Sequence, residues 1–358
     1  MSDQETYQAR PEAPPAPTMP TLPNEPYYQS TPAPLRRGRN AGLGIALVVV
    51  GLVLLAFQAF GRTVPFGGTY KLVDQELPGK HLELVAGNSD VEVRSWDGDT
   101  IKIEAIQHGG ARGDYQVNVE QTGDVIRIDE STGNWFCFFC SRGISYRIDV
   151  PKSADASLQT TSGTIDINGL AGAVTLASTS GDIHADELGG GLTVNTTSGE
   201  VRLSSINGRL QVETISGDVQ LGDGAVDGAT VNTTSGEIDL DGVNGELQIG
   251  TVSGDISVRD ANASQLDIST TSGGINYDGA FGAGSDSKVS TISGDVDLTL
   301  PEDSSFSLNA STVSGDISND FELAGAQNDQ RSLTGTIGSG GPTLTVETTS
   351  GDISLDQR

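Results

Sequence analysis

Apolar residues recur with a fixed period over the C-terminal part of the chain. A glycine that follows serine or threonine returns every 18 or 19 residues, with looser spacing towards the end. Ile or Val always stands two residues after it, and further apolar residues stand mostly four after it and five and seven before it. A spacing of two places side chains on one face of a strand, so each repeat predicts one short strand on either side of a Ser-Gly corner. The eleven corner glycines are Gly163, Gly181, Gly199, Gly217, Gly236, Gly254, Gly273, Gly294, Gly315, Gly335 and Gly351.

Such a repeat is too small to bury its own apolar face, whereas stacked copies share one core. The predicted fold class is therefore all-β: a single-stranded β-solenoid, or β-helix, of about eleven coils of 18–21 residues. We expect the corner glycine to supply a backbone conformation that branched residues resist. Thr or Ser stands three residues before every corner glycine, and stacking would align these hydroxyls in a ladder in which each bonds its neighbours. A plain antiparallel sandwich is the alternative, but it would not keep this register.

The N-terminal part of the chain has a different composition. Residues 1–40 hold nine of the fourteen prolines, which predicts a disordered tail. Residues 41–60 carry no charge, and their length matches the core of a bilayer. Arg36, Arg37 and Arg39 directly precede them, so the positive-inside rule predicts a cytoplasmic tail, one transmembrane helix and an extracytoplasmic C-terminal part. A cleaved signal peptide is the alternative, although the polar leader is too long for one.

Between the membrane segment and the repeats, we interpret residues 61–80 as a linker and residues 81–151 as a β-rich cap. Residues 152–358 then form the solenoid domain. Pairs such as Val91/Val93 alternate in the manner of strands, and turn signals such as Asp97-Gly98 separate them. A solenoid needs a cap of this kind because its first coil would otherwise expose the core.

One loop in the predicted cap holds both cysteines of the chain, Cys137 and Cys140. Outside the cytoplasm such a pair usually oxidises, so we expect a local disulfide or inert thiols. Redox or metal use is the alternative, but a redox pair prefers a helix N-terminus and zinc needs four ligands. Four aromatic residues in the same loop either pack on the first coil or form an exposed contact loop for lipid or a protein. They are Trp135, Phe136, Phe138 and Phe139.

The position directly after the corner glycine is acidic in eight of the eleven repeats. Stacking would place these carboxylates about 4.8 Å apart, where they repel unless water or cations separate them. We favour a solvated corner at which the acids cap backbone amides. A calcium ladder is the weaker hypothesis, and no other cofactor is expected. The candidate calcium ligands are Asp182, Glu200, Asp218, Glu237 and Asp255.

Charge and motif content limit the possible functions. The formal net charge of −28 repels nucleic-acid phosphates, so we expect no nucleic-acid partner. A polysaccharide-active β-helix enzyme would need clustered carboxylates beside basic side chains. Beyond Pro151 the basic residues, among them Arg202, Arg259 and His184, are isolated in the sequence, and no phosphate loop, nucleophile elbow or metal-type histidine pair occurs. We therefore expect that the chain is not an enzyme, and we assign no catalytic or cofactor-binding residue.

The repeats Thr-Thr-Ser-Gly-Glu-Val at 196–201 and Thr-Val-Ser-Gly-Asp-Ile at 251–256 follow a Val150-Pro151 step. In these features the chain resembles a bacterial domain-of-unknown-function family that carries the name "putative adhesin". The likeness covers about residues 81–358. It implies a right-handed β-helix in a cell-envelope protein, with some members associated with envelope stress, and it carries over no catalytic residue.

Three functional hypotheses follow. The leading one is a single-pass cell-membrane protein, inserted in the lipid bilayer through residues 41–60, whose acidic solenoid binds an envelope protein or surface ligand or serves structurally. The alternative is an envelope-stress sensor that signals through the cytoplasmic tail, and the least favoured is a polysaccharide-active enzyme. Because the chain ends directly after its last repeat, we also expect the C-terminal coil to be an open end that docks on a partner or on a second copy.

Overall fold

A computed structural model describes residues 69–109, 115–132, 143–282, 284–329 and 331–358. The regular structure within these ranges consists of β-strands, which we number along the chain. The predicted disordered tail and transmembrane helix lie outside the described residues. Within the described ranges, no helix has the length and hydrophobicity that a membrane span requires.

The middle of the chain forms coils of two strands each, one before and one after the corner. The strands are β8 (Asp155–Thr160), β9 (Ile165–Asn168), β10 (Val174–Ser178), β11 (Ile183–Asp186), β12 (Leu192–Thr196), β13 (Val201–Ser204), β14 (Asn207–Glu213), β15 (Val219–Gly222), β16 (Ala225–Asn232), β17 (Ile238–Asp241), β18 (Val243–Gly250), β19 (Ile256–Ser269), β20 (Ile275–Phe281), β21 (Ser287–Ser290) and β22 (Val296–Leu300). Each strand pairs in parallel with its counterpart in the next coil, so that Ile183 lies opposite Val201 and Val201 opposite Val219. Ile238 continues the row, and all four side chains are fully buried. The predicted β-solenoid and its shared core are confirmed.

The corner glycines are required by the close approach of neighbouring coils. A Cβ atom on Gly254 would lie 1.9 Å from the carbonyl oxygen of Gly236, and one on Gly273 would lie 2.0 Å from that of Gly254. The serine before each of these glycines forms an isolated parallel bridge to its counterpart in the next coil. The sequence predicted a conformational role for these glycines, and the structure adds a steric one.

The buried threonines before the corners differ from the hydroxyl ladder that the sequence suggested. The hydroxyl groups of Thr291 and Thr348 donate to the carbonyl oxygens of Gly273 and Gly294 in the adjacent coil, each at 3.1 Å. They therefore bond backbone rather than one another. The Oγ1 atoms of Thr214, Thr233 and Thr251 are buried and have no hydrogen-bond partner among the described residues, so the bond to backbone is not made at every corner.

The N-terminal strands build a cap on the first coils. They are β1 (Thr69–Pro78), β2 (His81–Val85), β3 (Asp90–Trp96), β4 (Thr100–His108), β5 (Tyr115–Thr122), β6 (Val125–Thr132) and β7 (Gly143–Pro151). Strands β2 and β3 form a further coil, parallel to β8 and β9, although no Ser-Gly motif marks it. Strands β6 and β7 cover that coil, and β5 and β4 pair antiparallel to them. The predicted linker is wrong over residues 69–78, because β1 pairs with β4 and buries Val73.

The C-terminal strands do not stack in the order of the sequence. They are β23 (Phe306–Ser314), β24 (Ile317–Asn319), β25 (Leu323–Asp329), β26 (Ser332–Ile337), β27 (Thr343–Ser350) and β28 (Ile353–Gln357). Strand β27 lies between β21 and β23, and β28 lies between β22 and β24. The coil at the C-terminus is therefore an interior coil. The prediction that it forms the open end of the stack is wrong.

The repeat at Gly335 is not a coil of the solenoid. It falls in β26, which runs antiparallel to β23 and brings Ile337 opposite Phe306. The ring of Phe306 also packs against Phe281 and Phe321, with centroids 5.0 and 6.1 Å apart. This aromatic cluster and the β25–β26 hairpin cover apolar surface at the end of the stack, as a solenoid requires.

Candidate ligand-binding groove

The strands that follow the corner glycines carry one row of polar side chains that point outward. The position three residues after the corner glycine faces solvent because both of its neighbours in the strand point into the core. Parallel pairing stacks His184 beside Arg202, Arg202 beside Gln220, and Gln220 beside Asp239. Residues that are 18 or 19 positions apart in the chain thus become neighbours on one face.

Hydrogen bonds and ion pairs fix the first half of this row. His184 Nδ1 lies 3.0 Å from Asp166 Oδ1, and Arg202 Nη1 lies 3.4 Å from His184 Nε2. Arg202 Nη2 also contacts Glu200 Oε2 at 2.5 Å. The guanidinium of Arg202 is therefore held in place while about half of its side chain stays exposed to solvent.

Arg259 occupies the other end of the groove. Its Nη2 atom lies 2.8 Å from Asp239 Oδ1, and its Nη1 atom donates to Ser257 Oγ at 3.1 Å. The hydrogen bond with Asp239 raises the pKa of Arg259 further above its ordinary value. The side chain is half exposed, so these contacts orient the guanidinium and leave part of it accessible to a ligand.

Between the two arginines the face is hollow. Gly222 occupies a position in β15 where neighbouring strands carry Ser204 and Asp241, and its missing side chain leaves room. The resulting groove has a volume of about 630 Å³. Its lining combines donors on Arg202, Gln220 and Arg259 with the carboxylates of Asp186, Asp239 and Asp241.

This arrangement suits recognition of a ligand with many hydroxyl groups. Arginine forks donate hydrogen bonds in a fixed geometry, and carboxylates accept them. The side chains stand on strands of a rigid stack, so little conformational entropy is lost when a ligand binds. The mixture of both charges does not favour a ligand that is strongly anionic or strongly cationic.

The acidic corner positions make backbone contacts between coils. Asp182 Oδ1 accepts a hydrogen bond from the Glu200 amide at 2.9 Å, and Asp218 Oδ1 accepts one from the Glu237 amide at 2.9 Å. The amide of Gly274 donates to Asp255 Oδ1 at 2.7 Å. Within the described part of the chain, no group of three or more His, Cys, Asp or Glu side chains is arranged to hold a metal ion. The calcium ladder remains a hypothesis.

The cysteine loop falls outside the residues that the structure describes. Cys137, Cys140 and the aromatic residues Trp135, Phe136, Phe138 and Phe139 all belong to the segment 133–142. The disulfide and the contact loop therefore remain predictions.

The sequence singled out His184, Arg202 and Arg259 but only as isolated residues, and sequence reasoning missed Gln220 and the carboxylates that line the groove. The signal that connects them is their distance from the corner: His184 and Arg202 each stand three residues after a corner glycine, and Arg259 stands five after one. Reading the outward positions coil by coil would have brought His184 next to Arg202. It would not have revealed the hollow at Gly222, which depends on the side chains around it.

The stacked coils and their Ser-Gly corners match a known sequence family. The profile of the Toastrack DUF4097 family matches residues 142–209 and 206–356. The chain belongs to this family. The expected resemblance to a bacterial family of unknown function is thereby confirmed.

The comparison with solved structures also gave matches, each with a TM-score below 0.5. One is a putative lipid binding protein from Parabacteroides distasonis ATCC 8503, with 13% identity, a TM-score of 0.40, and coverage of 81% of this chain and 97% of that one. Another is a putative cell adhesion protein from Clostridium sporogenes ATCC 15579, with 10% identity, a TM-score of 0.22, and coverage of 80% and 100%. A putative adhesin from Parabacteroides distasonis ATCC 8503 has 10% identity, a TM-score of 0.26, and coverage of 82% and 97%. No curated protein matches the chain significantly.

Proposed function

We propose that this chain is an adhesin-like binding module of the cell envelope. In this proposal residues 1–40 lie in the cytoplasm, residues 41–60 cross the membrane, and the Toastrack solenoid extends outside. The groove between Arg202 and Arg259 binds a surface ligand rich in hydroxyl groups, such as a glycan. The observation that carries the proposal is the row of oriented donors and acceptors on one outward face of the stack.

A binding role fits the construction of the site better than turnover does. Arg202 is held by Glu200, which directly precedes its strand, and Arg259 is held by Asp239 on the neighbouring strand, so their geometry is fixed before a ligand arrives. Preorganised donors of this kind lower the entropy cost of association. General acid–base cleavage of a glycan would require two carboxyl groups positioned around one bond, with the pKa of one raised.

The groove can be tested with two substitutions and a matched control. The full-length chain in detergent micelles is applied to an array of neutral and acidic glycans. We expect the glycans that bind the parent chain to bind the R202A/R259A double variant at least about tenfold more weakly, because the loss of even one charge-assisted hydrogen bond of about 1.5 kcal/mol gives that factor. R209A removes one arginine of the same solenoid outside the groove and should bind like the parent chain.

Two results would contradict the proposal. Equal binding by the parent chain and the double variant, at equal melting temperature, would place recognition elsewhere on the molecule. Release of new reducing ends from a bound glycan would show an enzyme instead.

The role of the cytoplasmic tail is tested separately. Because the proposed site lies in the solenoid, deletion of residues 1–35 should leave glycan binding unchanged. If the deletion leaves binding intact but abolishes an envelope-stress response in cells, the sensor hypothesis is favoured over a simple adhesin.

A further inference from the structure

Strand β24, which follows the corner in the last coil of the stack, has an unpaired edge. Within the described residues, β24 pairs only with β28, whereas β22 and β28 each have a partner on both sides. Ile317 of β24 is partly exposed, although its counterparts Val296 and Ile353 are buried in the core. An apolar side chain at this position is covered wherever a further coil follows.

The hydrogen bonds of the interior coils show which groups of this edge lack a partner. The Asp352 amide donates to Asp295 Oδ1 at 2.8 Å, and the Asp316 amide donates to Asp352 Oδ1 at 2.8 Å. In the opposite direction, towards the end of the stack, the amide of Ile353 donates to the carbonyl oxygen of Asp316 at 3.0 Å. Continuation of this pattern directs the Asp316 carboxylate and the Ile317 amide towards the open side.

A groove lies at this edge. It has a volume of about 560 Å³ and is lined by Gly315, Asp316 and Ile317 together with Asn328, Asp329 and Arg331. Among the described residues, Arg331 makes no ion pair. The neighbouring strand β23 is already paired with β26, so the open edge begins at the corner and follows β24.

We propose that the edge of β24 binds an extended strand of a partner protein with the sequence pattern Gly, acid, Ile or Val. The partner strand adds parallel to β24 as the next rung of the sheet, a mode of recognition known as β-augmentation. This site is separate from the groove between Arg202 and Arg259.

The interior corners determine the sequence of the occupant. A residue stacked on Gly315 must be glycine, because a Cβ atom on Gly315 itself would lie 2.0 Å from the carbonyl oxygen of Gly351 beneath it. By the pattern of the interior coils, the following amide donates to the Asp316 carboxylate, and an acidic side chain there enters the groove that Arg331 lines. The next apolar residue covers Ile317, as Ile353 is covered in the interior of the stack.

The test uses a fluorescent peptide with the sequence of residues 293–300, Ser-Gly-Asp-Val-Asp-Leu-Thr-Leu. Its anisotropy is followed as the full-length chain in detergent micelles is added. We expect saturable binding of this peptide and binding at least about tenfold weaker for the peptide in which alanine replaces the glycine. Equal binding of both peptides, or saturation by neither, overturns the proposal.

A variant of the protein locates the peptide on the molecule. D316A removes the carboxylate that the pattern assigns to the incoming amide, while the Asp316 amide keeps its bond to Asp352. We expect it to weaken peptide binding at an unchanged melting temperature, whereas the control D303A, which removes a charge outside the groove, binds like the parent chain. Equal affinities of D316A and the parent chain would show that the peptide binds elsewhere.

Discussion

At the corners from Gly181 onwards in the stack, the α-carbon of one glycine faces the carbonyl oxygen of the glycine in the neighbouring coil. Some of these glycines, such as Gly254 and Gly273, have positive φ angles of 156° and 150°. Gly181 and Gly217 are not among the positive-φ residues, yet a Cβ atom on them would lie 1.9 and 2.1 Å from a carbonyl oxygen. The feature that all of them share is therefore the close approach of the coils, which is the stronger reason for glycine at this position.

Two glycines without a positive φ angle allow this reason to be tested. A Cβ atom on Gly217 would lie 2.1 Å from the Gly199 carbonyl oxygen, whereas one on Gly274 would meet no atom closer than 3.6 Å. We expect G217A to lower the free energy of unfolding by about 1–3 kcal/mol, the usual effect of overpacking. G274A should change it little, and thermal unfolding followed by circular dichroism measures both. Equal destabilisation by the two variants would contradict the steric explanation.

Buried tyrosines predict a loss of stability at alkaline pH. Burial raises the pKa of both Tyr146 and Tyr277 well above its ordinary value, and the hydroxyl of Tyr277 donates to the Ala280 carbonyl oxygen at 2.6 Å. Unfolded tyrosine loses its proton near pH 10, so above that pH the unfolded state binds fewer protons than the folded state.

Each such tyrosine should lower the free energy of unfolding by up to about 1.4 kcal/mol per pH unit above pH 10. Y277F removes one ionisable hydroxyl, and we expect its melting temperature to fall less between pH 9 and pH 11. Melting curves with the same pH dependence in Y277F and the parent chain would contradict this expectation.

At the level of strands, the C-terminal segment is an internal part of the stack. Strands β27 and β28 each pair with a strand on both sides, and Leu344, Val346, Ile353 and Leu355 are buried. Removal of this segment leaves β21 and β22 without the coil that covers them. It also separates β23 and β24 from the rest of the solenoid.

Deletion of residues 343–358 should therefore disrupt the fold far more than deletion of an end coil would. We expect the truncated chain to lose its cooperative thermal transition over the coils near β21–β24 and to become sensitive to protease there. Deletion of residues 1–35, outside the described strands, serves as the control and should leave the transition unchanged. A truncation that melts like the full chain would show that the C-terminal coil is dispensable.

At the level of the whole molecule, part of the net charge of −28 is carried by carboxylates that form regular ladders along the stack. The acidic corner positions lie one coil apart, and partial burial raises the pKa of Asp297, with a further contribution from the nearby carboxylates of Asp295 and Asp356. Like charges at the spacing of stacked strands repel, and salt screens this repulsion. The stability of the solenoid should therefore depend on ionic strength.

We expect the melting temperature to rise between about 0.01 and 0.5 M NaCl, a range over which the screening length becomes shorter than the spacing of many surface charges. A CaCl2 solution of equal ionic strength distinguishes screening from calcium binding. An equal rise in both salts indicates screening alone, whereas a larger rise in calcium that a chelator reverses supports the calcium ladder. A melting temperature independent of both salts would contradict the electrostatic argument.

The local features of a coil are determined by the sequence. A period of two around a corner glycine identifies the inward positions, and Ile183, Val201 and Val219 are buried in the predicted register. The reason is that burial of an apolar face and tolerance of a close backbone contact depend on residue types within a single repeat. The family also follows from these motifs, because its profile matches the repeats.

The order of the coils and the composition of the sites are decided only by the tertiary structure. Every coil presents a similar corner and a similar pair of strands, so local pattern does not specify that β27 lies between β21 and β23. The groove likewise combines Arg202, Gly222 and Arg259 from different coils, and its hollow exists only after they stack. Stacking order and shared cavities depend on which of the similar strand edges pair with each other. The packing of the chain as a whole determines that pairing.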